Sequence, residues 1–170
     1  MNVLGTTAAL LGVLLLGVLP ACAEPPVNFS GSWELDKNRS VLPSRALSMV
    51  GMVGGLLVVM DHKGDTLKIE RRVSMMGMHR TATSVFYTDG RENANVTPRG
   101  EKMLSRAHWE GTSLVMEHKA TRTRNGQTKV VESKDIRRLS ESGRIPIVDC
   151  TVQDPDGSGP EHFTFVFVKK

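Results

Sequence analysis

Aromatic residues and cysteines are scarce in this 170-residue chain. Phenylalanine, tryptophan and tyrosine make up 5% of it, so its apolar volume comes from aliphatic side chains and nine methionines. The two cysteines are too few for a disulfide scaffold. The histidines lack the paired spacing of a metal site, and no nucleophile elbow, paired-acid pattern or phosphate loop is present. We therefore expect no metal, no cofactor and no enzymatic activity.

The net charge of the chain is also small. The formal net charge is +4 with an isoelectric point near 9.3, and the basic residues are spread along the chain. Nucleic-acid binding needs a clustered basic face, so we expect no nucleic-acid partner. The length suits one domain with a sizeable core, and we expect a monomer.

The first 23 residues have the composition of an export signal. Residues 10–19 form an apolar run that is too short to span a bilayer, and small residues follow it. Cleavage after Ala23 would release a soluble protein. Cleavage before Cys22 would instead create a lipidated first residue, and hence a lipid anchor. In both cases we predict a mature domain over 24–170 that is periplasmic, associated with the outer membrane or secreted.

After the leader, short segments of alternating apolar and polar residues are separated by turn sequences such as D-G and N-G. This pattern predicts an all-β fold of about nine or ten antiparallel strands, with at most one short helix, at residues 44–50. An up-and-down barrel in which the first strand meets the last would remove both sheet edges. We expect the segment 49–60 to lie near the mouth of the barrel.

Three short motifs carry a resemblance. They are F-S-G-S-W-E-L-D at residues 29–36, Y-T-D-G at 87–90 and W-E-G-T-S-L at 109–114. Together they resemble the small exported bacterial domains of the lipocalin-like (calycin) type, which open with F-S-G-x-W-x-L. The resemblance implies that Gly31 and Trp33 seal one end of a barrel, beneath a basic residue of the last strand, for which Lys169 or Lys170 is the nearest counterpart.

Strand alternation also indicates which polar residues face inward. His118 lies on the same strand face as Leu114 and Met116, and Arg71 shares a face with Ile69. A buried guanidinium needs a carboxylate, either from the protein or from a ligand. We therefore predict a cavity that binds a small apolar or amphipathic molecule. The predicted ligand-binding residues are Met60, Ile69, Arg71, Met116 and His118.

Two alternatives stay open. The hairpin over 122–138 is rich in Arg and Lys, and it could bind an anionic membrane or polymer surface in a non-enzymatic envelope protein. Alternatively, His118, Arg71 and a carboxylate could converge in the cavity and form an enzyme site. We expect Cys150, which has Ile147 and Val148 nearby, to be a small buried residue and not a reactive thiol.

Overall fold

A computed structural model describes residues 26–42, 53–75, 78–97, 100–124, 126–153 and 159–170. The predicted leader with Cys22 and the predicted helix at 44–50 lie outside these ranges. Within them, the strand prediction is confirmed, because the chain is all β with ten antiparallel strands. The strands are β1 (Gly31–Leu35), β2 (Val53–Lys63), β3 (Thr66–Met75), β4 (Met78–Tyr87), β5 (Asn93–Val96), β6 (Lys102–Glu110), β7 (Ser113–Arg124), β8 (Gln127–Leu139), β9 (Pro146–Gln153) and β10 (Pro160–Lys169).

The strands form one up-and-down sheet that curls into a nearly closed barrel. Each strand pairs with its neighbours in sequence, and β1 pairs with β10, as predicted. The expectation that both edges disappear is met only in part, because β4 and β5 share no backbone ladder among the described residues. Side chains bridge this gap. Asn95 accepts a hydrogen bond from the Val85 N–H (3.0 Å), and both Asn95 and Asn93 donate to the Val85 carbonyl oxygen.

The strand ends define two ends of the barrel. The hairpin turns β2–β3, β4–β5, β6–β7 and β8–β9 all lie at one end, which we call the base. Strand β1 also begins there. At the opposite end, which we call the rim, the chain connects β1 to β2, β3 to β4, β5 to β6, β7 to β8 and β9 to β10. The segment expected at the mouth needs correction, because residues 53–60 belong to β2, and Met60 lies inside the barrel with 3% of its surface exposed.

The base is filled by apolar side chains. Alternate residues of each strand point inward, and those nearest the base have almost no exposed surface. The chain crosses the base at Phe29, whose carbonyl oxygen accepts a hydrogen bond from the Trp33 indole N–H at 3.0 Å. The fully buried residues at this end are Phe29, Leu67, Phe86 and Leu114.

The G-x-W motif seals this end through a close contact. The backbone φ of Gly31 is +148°, and a Cβ built on it would lie 3.0 Å from the Trp33 ring. Only glycine therefore lets the indole lie across the strand. Lys169 is the register partner of Trp33 on β10, and its side chain is exposed.

Candidate functional site

A polar group occupies the barrel interior between the filled base and the rim. It is formed by residues on β3, β6, β7, β8 and β9. These residues lie on the inward face of their strands, as do the apolar residues two positions away. On β7, for example, the apolar Leu114 and Met116 precede His118 on the inward face, and Ala120 follows it. The members of this group are Arg71, Ser105, His118, Asp135, Arg137 and Cys150.

The side chains of this interior polar group are linked by short contacts. Asp135 accepts a hydrogen bond from Arg137 at 3.0 Å, and the same carboxylate oxygen lies 3.7 Å from His118 Nε2. The other His118 nitrogen, Nδ1, lies 2.9 Å from the Ser105 hydroxyl. Arg137 also contacts Met116, with Nε 3.0 Å from the thioether sulfur. The protein thus builds a continuous polar chain across three neighbouring strands.

The charges of this group do not cancel. Burial would raise the pKa of Asp135, but its hydrogen bond with His118 and the charge of Arg137 hold that pKa well below the usual range, so the carboxyl stays ionised. Burial and the charge of Arg137 lower the pKa of Arg71 to about 10, against the opposing effect of Asp135. Arg71 therefore remains protonated at neutral pH. Two guanidinium groups face one carboxylate, which leaves an excess of positive charge inside the barrel.

Arg71 is the unpaired member of the group. Among the residues that the structure describes, its guanidinium donates no hydrogen bond and forms no ion pair, although the side chain is partly buried. Arg137, in contrast, has the carboxylate of Asp135. A buried charge without a partner is costly, and an anionic group from a bound molecule would relieve that cost.

Cys150 lies beside the carboxylate of Asp135. Burial, the negative charge of Asp135 and a hydrogen bond to it raise the pKa of the thiol above its usual range. The protonated thiol is a poor nucleophile. This agrees with the expectation of an unreactive residue, although Cys150 contacts a polar group where an apolar setting was expected.

Exposure of the inward-facing residues increases from the base toward the rim. Inward-facing residues toward the rim keep partial exposure, unlike the fully buried residues at the base. The partly buried inward residues include Val73, Ala82, Val152 and Phe163.

The five residues predicted to bind a ligand all lie on the interior face. Met60, Ile69 and Met116 are buried with at most 3% exposure, and they form apolar wall next to the polar group. Arg71 and His118 belong to the polar group itself. The structure brings these residues onto the inward face of the barrel, and their role in binding stays a prediction.

Sequence reasoning missed Ser105, Asp135 and Arg137. Asp135 and Arg137 share the inward face of β8 with Val131 and Leu139, but polar residues also lie on its other face, so the alternation of β8 gives no clear signal. His62 is 3% exposed, and its ring stacks against those of Phe29 and Trp109. Neither of its ring nitrogens has a hydrogen-bond partner among the described residues.

The basic hairpin does not form one continuous surface. Arg137 points into the barrel, where only 6% of its surface is exposed. Arg138 pairs with Asp149, and Arg122 lies 3.8 Å from Glu101. A concavity of about 700 Å³ along β6 to β9 is lined by charged residues of both signs and also by Ser105, His118 and Ser133. It includes the ion pair between Lys119 and Glu132 (2.9 Å). This alternation weakens the case for an anionic surface as partner.

Comparison with known proteins places the fold. The sequence matches no protein-family model and no curated protein. In structure the chain is similar to the REP1-NXSQ fatty acid transporter, with a TM-score of 0.57, 14% identity and coverage of 83% of this chain and 95% of that one. The likeness is one of fold.

Two further structures give the same result. The zebrafish ileal bile acid-binding protein complexed with cholic acid has a TM-score of 0.57 at 15% identity, covering 84% of this chain and 98% of that one. Human cRBP IV has a TM-score of 0.56 at 14% identity, covering 85% and 100%. All three comparisons extend over most of both chains.

No helix among the described residues has the length and apolar character needed to cross a membrane. No group of three or more His, Cys, Asp or Glu side chains in the same part of the chain is arranged to hold a metal ion.

Proposed function

We propose that this protein binds a small apolar or amphipathic molecule inside its barrel, with an acidic group of that molecule directed to Arg71. The observation that carries the proposal is the Arg71 guanidinium, which has no hydrogen bond or ion pair among the described residues and shares the inward face of β3 with the buried core residues Leu67 and Ile69. An amphipathic acid satisfies both features, because its chain buries apolar surface while its carboxylate pairs with the cation.

Two further observations support the proposal. Arg137 already has Asp135 as its partner, so the excess positive charge is not neutralised by the protein itself. Structures with the same fold include a fatty acid transporter and a bile acid-binding protein complexed with cholic acid. At 14–15% identity these neighbours support a binding barrel in general and leave the ligand of this chain to experiment. Export through the leader, with or without lipidation at Cys22, stays a prediction from the sequence.

The first test is native mass spectrometry of the protein after mild extraction from its host. We expect a mass increment that disappears on organic extraction and that corresponds to an amphipathic acid. An unliganded protein that also fails to take up added fatty acid would contradict the proposal.

The second test uses a matched pair of variants. Arg71→Met keeps most of the side-chain volume while removing the charge, whereas Arg72→Met does the same on the outer face, where Arg72 is exposed. We expect Arg71→Met to weaken binding of a fluorescent fatty acid roughly tenfold or more, since a hydrogen bond to a charged group contributes about 1.5–3 kcal/mol. Binding of the matching long-chain alcohol should change much less. Arg72→Met should leave both affinities unchanged.

A further inference from the structure

Three interior residues are arranged as a nucleophile, a base and an acid. Ser105 on β6 and His118 on β7 are direct register partners, and Ser133 on β8 is the partner of His118. Asp135, two residues farther along β8, therefore lies diagonally from His118 on the same inward face. The hydroxyl of Ser105 is 2.9 Å from His118 Nδ1, and Asp135 is 3.7 Å from Nε2.

From this arrangement we propose that the barrel catalyses acyl transfer, with Ser105 as nucleophile and His118 as general base. The substrate class is an ester of an apolar or amphipathic acid. This proposal rests on the proposed function, because the acyl chain has to occupy the lumen. A nucleophile within hydrogen-bond reach of a base that is itself oriented by a third group is the structural signature of such chemistry.

The surrounding charges suit this role. Arg137 donates to the carboxylate of Asp135 at 3.0 Å and holds it facing His118. Asp135 is then a positioning residue, which stabilises the imidazolium that forms when His118 accepts a proton. The positive charge of Arg71 acts on the same group through its interactions with Arg137 and Asp135, and a cation in a water-poor interior favours a negatively charged intermediate.

The reaction balances without any further reactant except water. The Ser105 oxygen attacks the ester carbonyl carbon while its proton moves to His118 Nδ1. The bond from that carbon to the alcohol oxygen then breaks, and the alcohol leaves with the proton from His118. Water attacks the acyl-serine in the same way, and this step releases the carboxylic acid and restores the serine hydroxyl. The acid product belongs to the ligand class proposed above.

The test is labelling of the full-length protein with an alkyl fluorophosphonate, followed by peptide mass spectrometry. We expect one adduct, located on Ser105. Labelling should be lost in Ser105→Ala, and its rate should fall roughly 10²- to 10⁴-fold in His118→Ala. Ser133→Ala is the matched control, because Ser133 is also an inward serine next to His118, and its labelling should equal that of the unmodified protein.

Further measurements separate catalysis from binding and from folding. The mapped adduct in the unmodified protein needs no variant, so a misfolded Ser105→Ala would not prevent a decision. Asp135→Asn should lower the labelling rate while the fluorescent fatty acid still binds, which loss of structure alone would not do. A protein that binds a fluorescent fatty acid but shows no adduct on Ser105 would overturn the catalytic proposal and leave binding intact. Absence of both binding and labelling would overturn both proposals.

Discussion

The base and the interior polar group make opposite contributions to the stability of the barrel. At the base, Phe29 and Trp33 bury apolar surface, and that burial stabilises the fold. In the polar group, Arg71, Asp135 and Arg137 bring charges into the interior, where removal from water generally costs more than ion pairing returns. The base therefore stabilises the barrel against the cost of its polar group.

The largest expected effect tests the polar group. Asp135→Asn would remove the ion-pair partner of Arg137 and a negative charge that favours the protonated form of Arg71, and breaking a buried pair costs about 3–5 kcal/mol of unfolding free energy. Urea denaturation measures this loss. Glu132→Gln on the same strand removes one partner of an exposed ion pair and should cost less than about 1 kcal/mol.

The pH dependence of stability that comes from Asp135 follows from the direction of its pKa shift. The pKa of Asp135 is lower in the folded than in the unfolded protein, so its contribution is present above the unfolded value near 3.8. As the pH falls below that value, the unfolded chain takes up a proton first and the contribution is lost.

Equal losses of unfolding free energy for Asp135→Asn and Glu132→Gln would mean that the polar group is solvated and that the contrast with the base is wrong.

A smaller effect is expected at the base. Gly31→Ala forces a Cβ to within 3.0 Å of the Trp33 ring at a positive φ. The backbone φ of Gly64 is also positive, at 56°, but the Cβ of an alanine there would have open space around it. The positive φ alone costs roughly 1–2 kcal/mol, so Gly64→Ala should lose about that amount. Gly31→Ala should lose about 1–3 kcal/mol more because of overpacking. Similar midpoints of thermal unfolding for the two variants would show that the position of the Trp33 indole does not require a glycine at residue 31.

The smallest effect concerns His62, a polar residue placed within the apolar base. Desolvation lowers its pKa below the unfolded value near 6.5. Below that pH the unfolded chain binds a proton that the folded protein excludes, so stability falls as the pH is lowered, by at most about 1.4 kcal/mol per pH unit. His62→Phe should remove this slope between pH 6.5 and 5. The same change at the exposed His79 should not, and an unchanged slope in His62→Phe would contradict the neutral, buried histidine.

The fold was predictable because the strands alternate clearly and are separated by turn sequences. Alternation along β3 and β7 also placed Arg71 and His118 on the inward face. The closure between β4 and β5 was not predictable, because it depends on the side chains of Asn93 and Asn95 reaching across to Val85. No local pattern encodes such a contact.

The polar group was only half predictable for a related reason. Strand β8 carries polar residues on both faces, so its alternation does not identify the inward one. Ser105 and Asp135 are separated from His118 by 13 and 17 residues, and only the strand register brings the three together. His62 was missed because a lone histidine next to a turn is usually exposed.

The most direct test of the account is NMR of a fatty acid carrying ¹³C at its carboxyl carbon, bound to the protein and titrated with acid. If the carboxylate pairs with Arg71, its pKa should lie well below its usual range, and Arg71→Met should restore the ordinary value while Arg72→Met should not. A bound carboxyl that titrates normally in the unmodified protein would contradict the central claim that the unpaired guanidinium receives the acidic group of the ligand.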